Sequence, residues 1–437
     1  MYFEFKQQMI KKTSLLFLFL GTLISFAQST EQSPYSFFGI GEQAGNKTVS
    51  ATGMGGLTVG LEDRFELNFD NPALLSGLKL TTFDIGGQSR FLNIDDGMGE
   101  QSSSNTTLSY FSLGFPVAKN MGVMVGLQPS SNVGYYLIDE TMDADNNLTE
   151  LYIYEGNGGT NRMTLGAGYQ FYKGLSVGVE GEVLFGKINK GITNEKAGVA
   201  RYKQYNMSAQ LRGTALKLGL SYNDSISKNL TIKAEASATL KSTIKSTNDE
   251  FLYNYYYAPN GTIIPQDTLV ANYEISREIK RPMVLHSGIG IGKPGKWYTG
   301  AEFTSQKAWT FPEGLLSNSK VQYSTRNRVA VGGYFIPKLN SVTSYWNRVS
   351  YKAGLKYEES GLSVRTSQDT GNFTPLTDFG ISFGLGLPMG NRMSRLNMSV
   401  EFGQRGTTSN GLIKEKYVNL RVGLNIAEKW FLKRKID

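Results

Sequence analysis

The stretch Leu230-Thr231-Ile232-Lys233-Ala234-Glu235-Ala236-Ser237-Ala238-Thr239-Leu240-Lys241 alternates without a break. Its even positions are apolar and its odd positions polar or charged. Successive side chains of a strand point to opposite faces, so this period of two reads as a β-strand with one greasy and one polar side. The same split recurs at Leu175, Val177, Val179, Val183 and Phe185 against Ser176, Glu180 and Glu182. It recurs again at Val418, Leu420, Val422, Leu424 and Ile426 against Asn419, Arg421 and Asn425, and over 379–387 and 396–402.

Extending this reading along the chain predicts fourteen strands, near 77–93, 104–117, 121–139, 148–173, 175–191, 201–223, 228–247, 270–291, 296–309, 321–336, 344–358, 373–388, 393–407 and 415–427. Most reach or exceed the roughly 9–11 tilted residues that cross a bilayer. The connections alternate. Short ones fall at 117–120, 172–174, 223–228, 292–295 and 389–391; long ones at 92–103, 140–148, 190–200, 248–269, 310–320, 359–372 and 408–414. The segment 337–343 is a middling turn on the short side. Short periplasmic turns, long outer loops and an even strand count are the pattern of an outer-membrane barrel. The expected fold is therefore all-β, a transmembrane antiparallel β-barrel.

The amino end agrees. Lys11 and Lys12 precede the apolar run Leu15 to Leu20, and Ser25-Phe26-Ala27 offers small residues for cleavage, so 1–27 reads as a secretory signal peptide. No later stretch is apolar for the length of a spanning helix. Gly is 50 of 437 residues, Tyr and Phe are 24 each, and Cys is absent, which excludes a disulfide framework. The net charge of +8 is scattered along the chain, apart from the tail Lys433-Arg434-Lys435, and no basic stripe suits nucleic acid. Trp430 and Phe431 suit an interfacial aromatic girdle.

Chemistry of an enzymatic kind is not expected, and neither are cofactor or metal. The single His, His286, has no Cys or second His beside it. Gly290-Ile291-Gly292-Lys293-Pro294-Gly295 spells a dinucleotide fingerprint, but it leads into a strand and reads as a turn. Glu180 and Glu182 share one strand face and are explained by a lumen that sets acids against Arg212, Lys233, Arg328, Arg395, Arg405 and Arg421.

Residues 28–76 do not alternate, yet they carry Phe37, Phe38, Leu57, Val59, Leu61, Phe65, Leu67 and Phe69, too apolar for a solvated tail. A Gly-rich N-terminal segment, then Asn71-Pro72-Ala73 ahead of the first strand, then fourteen strands: this order resembles the FadL-type outer-membrane transporters of hydrophobic compounds. The Ser33-Pro34-Tyr35 start and the Trp-Phe-x-Lys-Arg-Lys ending also look like outer-membrane barrels of Bacteroidota. The resemblance implies that 28–76 is a hatch plugging a barrel of 77–437, with Asn71, Pro72 and Ala73 near its junction with the wall. It implies a lateral opening at the third strand, where Pro129, Ser130 and Gly134 are the candidates, since proline cannot donate to a ladder. It implies an outer-loop groove, here Phe251, Leu252, Tyr253, Tyr255, Tyr256 and Tyr257 in the loop 248–269, as a patch for a ligand or partner; the loop 190–200 is too short and polar to share it.

The expected function is passive uptake of hydrophobic small molecules such as fatty acids, with outer-membrane lipid and a hydrophobic ligand as partners. The alternative is an accessory structural subunit of an outer-membrane protein assembly or secretion complex, with other outer-membrane proteins as partners.

Overall fold

The computed structural model describes residues 33–429 apart from 46, 62–64, 228–229, 313–319, 366–372 and 391–392. The segment 1–27 expected to be a signal peptide, Trp430, Phe431 and the basic tail lie outside the described residues. Fourteen antiparallel strands close a barrel, each bonded to its sequence neighbours and the last to the first. They are β1 (Thr81–Asp95), β2 (Glu100–Ala118), β3 (Met121–Met142), β4 (Leu148–Tyr172), β5 (Leu175–Lys196) and β6 (Tyr202–Ser227). Next come β7, in two pieces (Leu230–Thr239 and Ser242–Tyr257), β8, also in two (Ile263–Arg281 and Val284–Lys293), and β9 (Trp297–Gln306). The set ends with β10 (Arg326–Phe335), β11 (Ser350–Val364), β12 (Thr374–Met389), β13 (Ser394–Gly406) and β14 (Lys414–Glu428). Closure leaves no sheet edge to desolvate in lipid except where the β2–β3 ladder stops short.

Alternation sorts the wall as a membrane requires. Leu165, Val179, Leu218, Ile289, Phe303 and Phe383 face outward and are exposed, whereas Glu180, Lys217, Glu235, Glu302 and Glu401 are buried inside. With a lipid-facing apolar belt around a polar interior, the barrel sits in the outer membrane.

The wall is uneven. β9 and β10 have 10 residues each, but β4 has 25 and β6 has 26. About ten cross the bilayer, so β3 to β8 continue as a tall sheet above the outer surface. This corrects two expectations. The segments 190–200 and 248–269 are not long loops: β5 runs to Lys196, and β7 and β8 form a hairpin that turns only at 258–262. On the short-turn side, β11 begins at Ser350, which lengthens the connection read as 337–343 to 336–349.

β7 also breaks where the sequence reads as continuous. Thr239 lies opposite Lys217 and Ile244 opposite Gly213, so β7 spends one residue more than β6 over the same interval. That extra residue is a bulge, and it switches which parity points outward. Ala234, Ala236 and Ala238 face out below it; Thr243 and Lys245 face out above.

The described residues between 33 and 78 pack inside. The one-turn helix α1 (Val49–Thr52) lies against β12 to β14, while the 3-10 turn Pro72–Gly77 lies against β3 to β6 on the other side. Thr48 caps α1 through its side chain. Leu57, Leu61, Leu67, Phe69 and Leu75 are wholly buried, and this burial, at about 2 kcal/mol for each such side chain, is what seats a segment with so little regular structure.

Candidate functional site

The barrel ladder is incomplete between β2 and β3. Pairing runs from Ala118–Met121 up to Phe111–Leu127 and then stops. Above that point β2 stays paired with β1, and β3 with β4. Pro129 sits just past the end of the shared ladder, at a bulge where β3 shifts register against β4.

The interior segment takes over this edge. Glu42 and Gln43 pair as a two-residue strand with Asn132 and Ser131. The Ala44 amide donates to the Ser130 carbonyl at 3.0 Å, and the Ser33 amide to the Gly134 carbonyl at 3.3 Å. Ser36 Oγ donates to the Gly134 carbonyl (3.1 Å) and accepts from its amide (3.0 Å). Pro129, Ser130 and Gly134 thus lie along one seam. Glu42, Ser36 and Gly41, which meet them there, carried no assignment from sequence. Gly41 has φ of +93°, and a Cβ on it would stand 2.2 Å from the Asn132 oxygen; only glycine lets the chain pass so close.

Behind the seam is a cavity of about 430 Å³. Ser103, Asn105, Thr107 and Ser109 line it together with Pro129, Ser130 and Asn132, and the rest of the lining carries eleven Lys and Arg against six Asp and Glu. It is a chamber that sets this charge beside apolar side chains such as Phe38, Ile40, Trp309 and Phe311. Burial pushes the Glu42 carboxyl up, but the guanidiniums of Arg405 (2.8 Å) and Arg90 (2.9 Å) outweigh it and hold it well below the usual carboxylate range. Arg405 also meets Glu415 at 2.5 Å, and Ser33 Oγ donates to the same carboxylate at 2.5 Å. Asp70 is likewise held low: burial opposes ionisation, and the Lys47 ammonium overcomes it.

Lumen cations serve the interior segment in a second way. An irregular buried chain leaves carbonyls without partners. Lys190 donates to the Phe37 and Gly39 carbonyls (2.7 and 3.0 Å), Lys217 to Phe69 (2.6 Å), Lys233 to Leu61 (2.7 Å) and Arg328 to Gly55 (2.6 Å). These donors stand on β5, β6, β7 and β10, so the interior segment is pinned from several sides. The paired acids are accounted for in the same way, Glu180 by Lys217 at 2.7 Å and Glu182 by Arg281 at 2.5 Å. Arg212 does not belong to this set: it faces outward and is exposed, so its assignment to the lumen is corrected.

Asn71-Pro72-Ala73 abuts the wall at β5 and β6. Asn71 Oδ1 accepts from the Ala73 amide at 3.0 Å and Nδ2 donates to the Leu220 carbonyl at 2.8 Å. Pro72 opens the 3-10 turn, where its missing N–H costs nothing. Gly178 and Gly219 make the room; a Cβ on either would lie 2.3 Å or less from this motif.

His286 is buried, with Nδ1 3.1 Å from Thr304 Oγ1 and Nε2 3.3 Å from Glu235 Oε1. His286, Asp70 and Glu302 offer ligand atoms within 4.8 Å of one another, a spacing that a small cation could bridge. The Lys47 ammonium already bonds both Asp70 and Glu302 (3.1 Å to the latter), so the cluster is a balanced ion-pair network.

The aromatic patch divides in two. Leu252 opposes Tyr205 on the inward face, whereas Phe251, Tyr253 and Tyr255 oppose Asn206, Gln204 and Tyr202 on the outward one. Tyr255 and Tyr257 both donate to Glu195 at 2.6 Å, and Tyr255 is 1% exposed. Tyr256 is half-buried on the parity of Leu252, and Tyr257 is exposed. The set is therefore strand, partly internal to the tall sheet, and not the exposed loop expected.

A family described as BamG matches residues 9–437. The chain belongs to the BamG family. No curated protein matches it. Among solved structures, this BamG-family barrel is similar to the toluene transporter TbuX of Ralstonia pickettii, at 11% identity and a TM-score of 0.55, covering 92% of this chain and 99% of that one. It is similar to the P. putida toluene transporter TodX (14%, 0.54, 90% and 100%) and to a Pseudomonas aeruginosa FadL homologue (11%, 0.55, 89% and 100%). At such identities the likeness shows a shared fold, that of the FadL-type barrels.

Proposed function

We propose that this BamG-family barrel is an accessory structural subunit of an outer-membrane protein assembly, with its lumen kept plugged. The observation that carries this reading is the hatch: buried ion pairs and cation–carbonyl bonds pin it from several sides of the wall, and the chamber beside it is lined by charge. A greasy solute there would lie among these ions as well as against the apolar part of the lining. The tall sheet supplies what a subunit needs instead, an outward surface bearing exposed Tyr136, Ile138, Leu269 and Tyr273. The test is mild detergent extraction with quantitative identification of copurifying proteins, alongside conductance of the purified barrel in planar bilayers. A stoichiometric complex with an outer-membrane assembly protein and a silent bilayer are expected. A barrel that extracts alone and admits a labelled hydrophobic solute into vesicles would overturn the reading.

A second reading is favoured by the seam. The β2–β3 ladder ends at Phe111–Leu127, and the cavity reaches it. Uptake of hydrophobic molecules, fatty acids among them, would then leave sideways past Pro129, Ser130 and Gly134 once Glu42–Gln43 lets go of β3. Solute entry that is the same with Pro129→Val as with the parent sequence would refute a lateral route.

A further inference from the structure

Four basic side chains stand together on the outside of the wall, where neither the hatch nor the lumen uses them. They are Lys187 on β5, Arg212 on β6, Lys245 on β7 and Lys280 on β8, all exposed. Their facing follows from register. Arg212 lies opposite Phe185, whose outward ring belongs to the lipid belt, and directly opposite Lys245 on its other side. Lys187 lies opposite Gln210, one outward step above Phe185, and Lys280 lies opposite Thr243, one outward step below Lys245.

The group sits at a definite height. On β5 the outward positions Val177, Val179, Val183 and Phe185 form the apolar band, about 25 Å tall in such barrels, and Lys187 is the next. On β6, Leu220, Leu218 and Leu216 are followed by Thr214 and Arg212. The four charges therefore form a rim over the greasy belt, on the side opposite the short turns. That is the level of lipid headgroups in the outer leaflet.

Two further observations point to an anion. Like charges directly opposite on adjacent strands destabilise a sheet, yet Arg212 faces Lys245. The acid nearest in register is Glu278, opposite Lys245, and among the described residues none of the four cations is in an ion pair. The basic rim is also concentrated in one sector. On the neighbouring strands β9 to β12, the outward rank Phe303, Val329, Tyr357 and Phe379 is followed by Ser305, Asn327, Glu359 and Thr377, with no Lys or Arg, and on the opposite wall Lys416 stands between Gln404 and Asn93 with no basic cross-strand neighbour.

We infer that Lys187, Arg212, Lys245 and Lys280 form a docking site for the phosphate of an outer-leaflet lipid, whose acyl chains lie along Phe185, Leu216 and Leu218 below. Arg212 and Lys245 share the phosphate, which offsets their repulsion, and Lys187 and Lys280 flank it.

The probe is diphosphoryl lipid A added to the full-length protein in neutral detergent, with binding read by native mass spectrometry. Phosphatidylcholine and inorganic phosphate serve as comparisons. Lipid A is expected to bind well above phosphatidylcholine, and the double variant Arg212→Gln/Lys245→Gln to weaken it roughly 30-fold. Lys416→Gln, on the opposite wall, is expected to leave binding unchanged. Heat-modifiable gel mobility checks that each variant is folded; Lys187→Gln/Lys280→Gln repeats the test if the first pair fails. Equal lipid binding by a folded double variant would overturn the site. So would displacement of the lipid by an equimolar amount of inorganic phosphate, since that would mark a site for free anions.

Discussion

Replacing Glu42 by Gln should unseat the front of the hatch without unfolding the barrel. The side chain keeps its shape and loses its charge, so the contacts to Arg90 (2.9 Å) and Arg405 (2.8 Å) become ordinary hydrogen bonds. Breaking a buried pair costs about 3–5 kcal/mol. Here the cost is at the low end, because both guanidiniums keep Glu415, at 3.8 and 2.5 Å. A loss of about 3 kcal/mol raises the open fraction roughly 100-fold. Hydrogen exchange reads this at the amides of Gly41, bonded to the Phe38 carbonyl, and Ala44, bonded to Ser130. Both should exchange about 100-fold faster, in proportion to opening, while β12 and β13 stay protected. Exchange within threefold of the parent would refute the reasoning, and would mean that the backbone pairing with β3 holds this end alone.

Other outcomes follow from the same geometry. Gly41→Ala should loosen the same amides, by about 1–3 kcal/mol of strain, because its methyl has no room beside Asn132; unchanged exchange would argue against the close approach. Lys217→Met strands Glu180 in the lumen and frees the Phe69 carbonyl, so thermal unfolding should show a loss of about 3–5 kcal/mol, and a neutral result would mean that Glu180 has another partner. Glu42 and Asp70 are both held low, so their stabilisation is complete above the free-acid range and fades as pH falls below about 4. Emission of Trp309, which packs on the cluster containing Ile40, should hold steady from neutral pH to 5 and shift below 4; a shift between pH 7 and 6 would contradict the sign.

The barrel was legible because lipid imposes parity: Leu216, Leu218 and Leu220 must point one way, and Lys217 the other. Arg212 shared the parity of those leucines and could have been placed outside on that ground alone. The bulge in β7 was not legible, since Leu240-Lys241 continues the alternation by letter while the partner strand takes one step fewer. For that reason the faces of Phe251, Tyr253 and Tyr255 could not be assigned, and a tall strand with mixed polarity read as a loop. The path of the hatch was hidden for a different reason. Its contacts are cation-to-carbonyl bonds, such as Lys190 to Phe37 and Arg328 to Gly55, and a carbonyl has no letter in the sequence. Asn71-Pro72-Ala73 was visible as a motif, but the glycines that receive it, Gly178 and Gly219, look like any others in a strand.

The contact between Ser33 and Glu415 joins residues 382 positions apart. Synthesis delivers the hatch first and β13 and β14 last, so the front of the plug cannot be fastened until the final hairpin has docked against β1. Until then Ser33 and Glu42 have no Arg405 or Glu415 to meet, and such distant pairings come late in folding. The hatch therefore reports on the completion of the wall: its first residues become protected only in a ring that has shut. A protease present during refolding should find Tyr35 to Gln43 open in every unclosed intermediate.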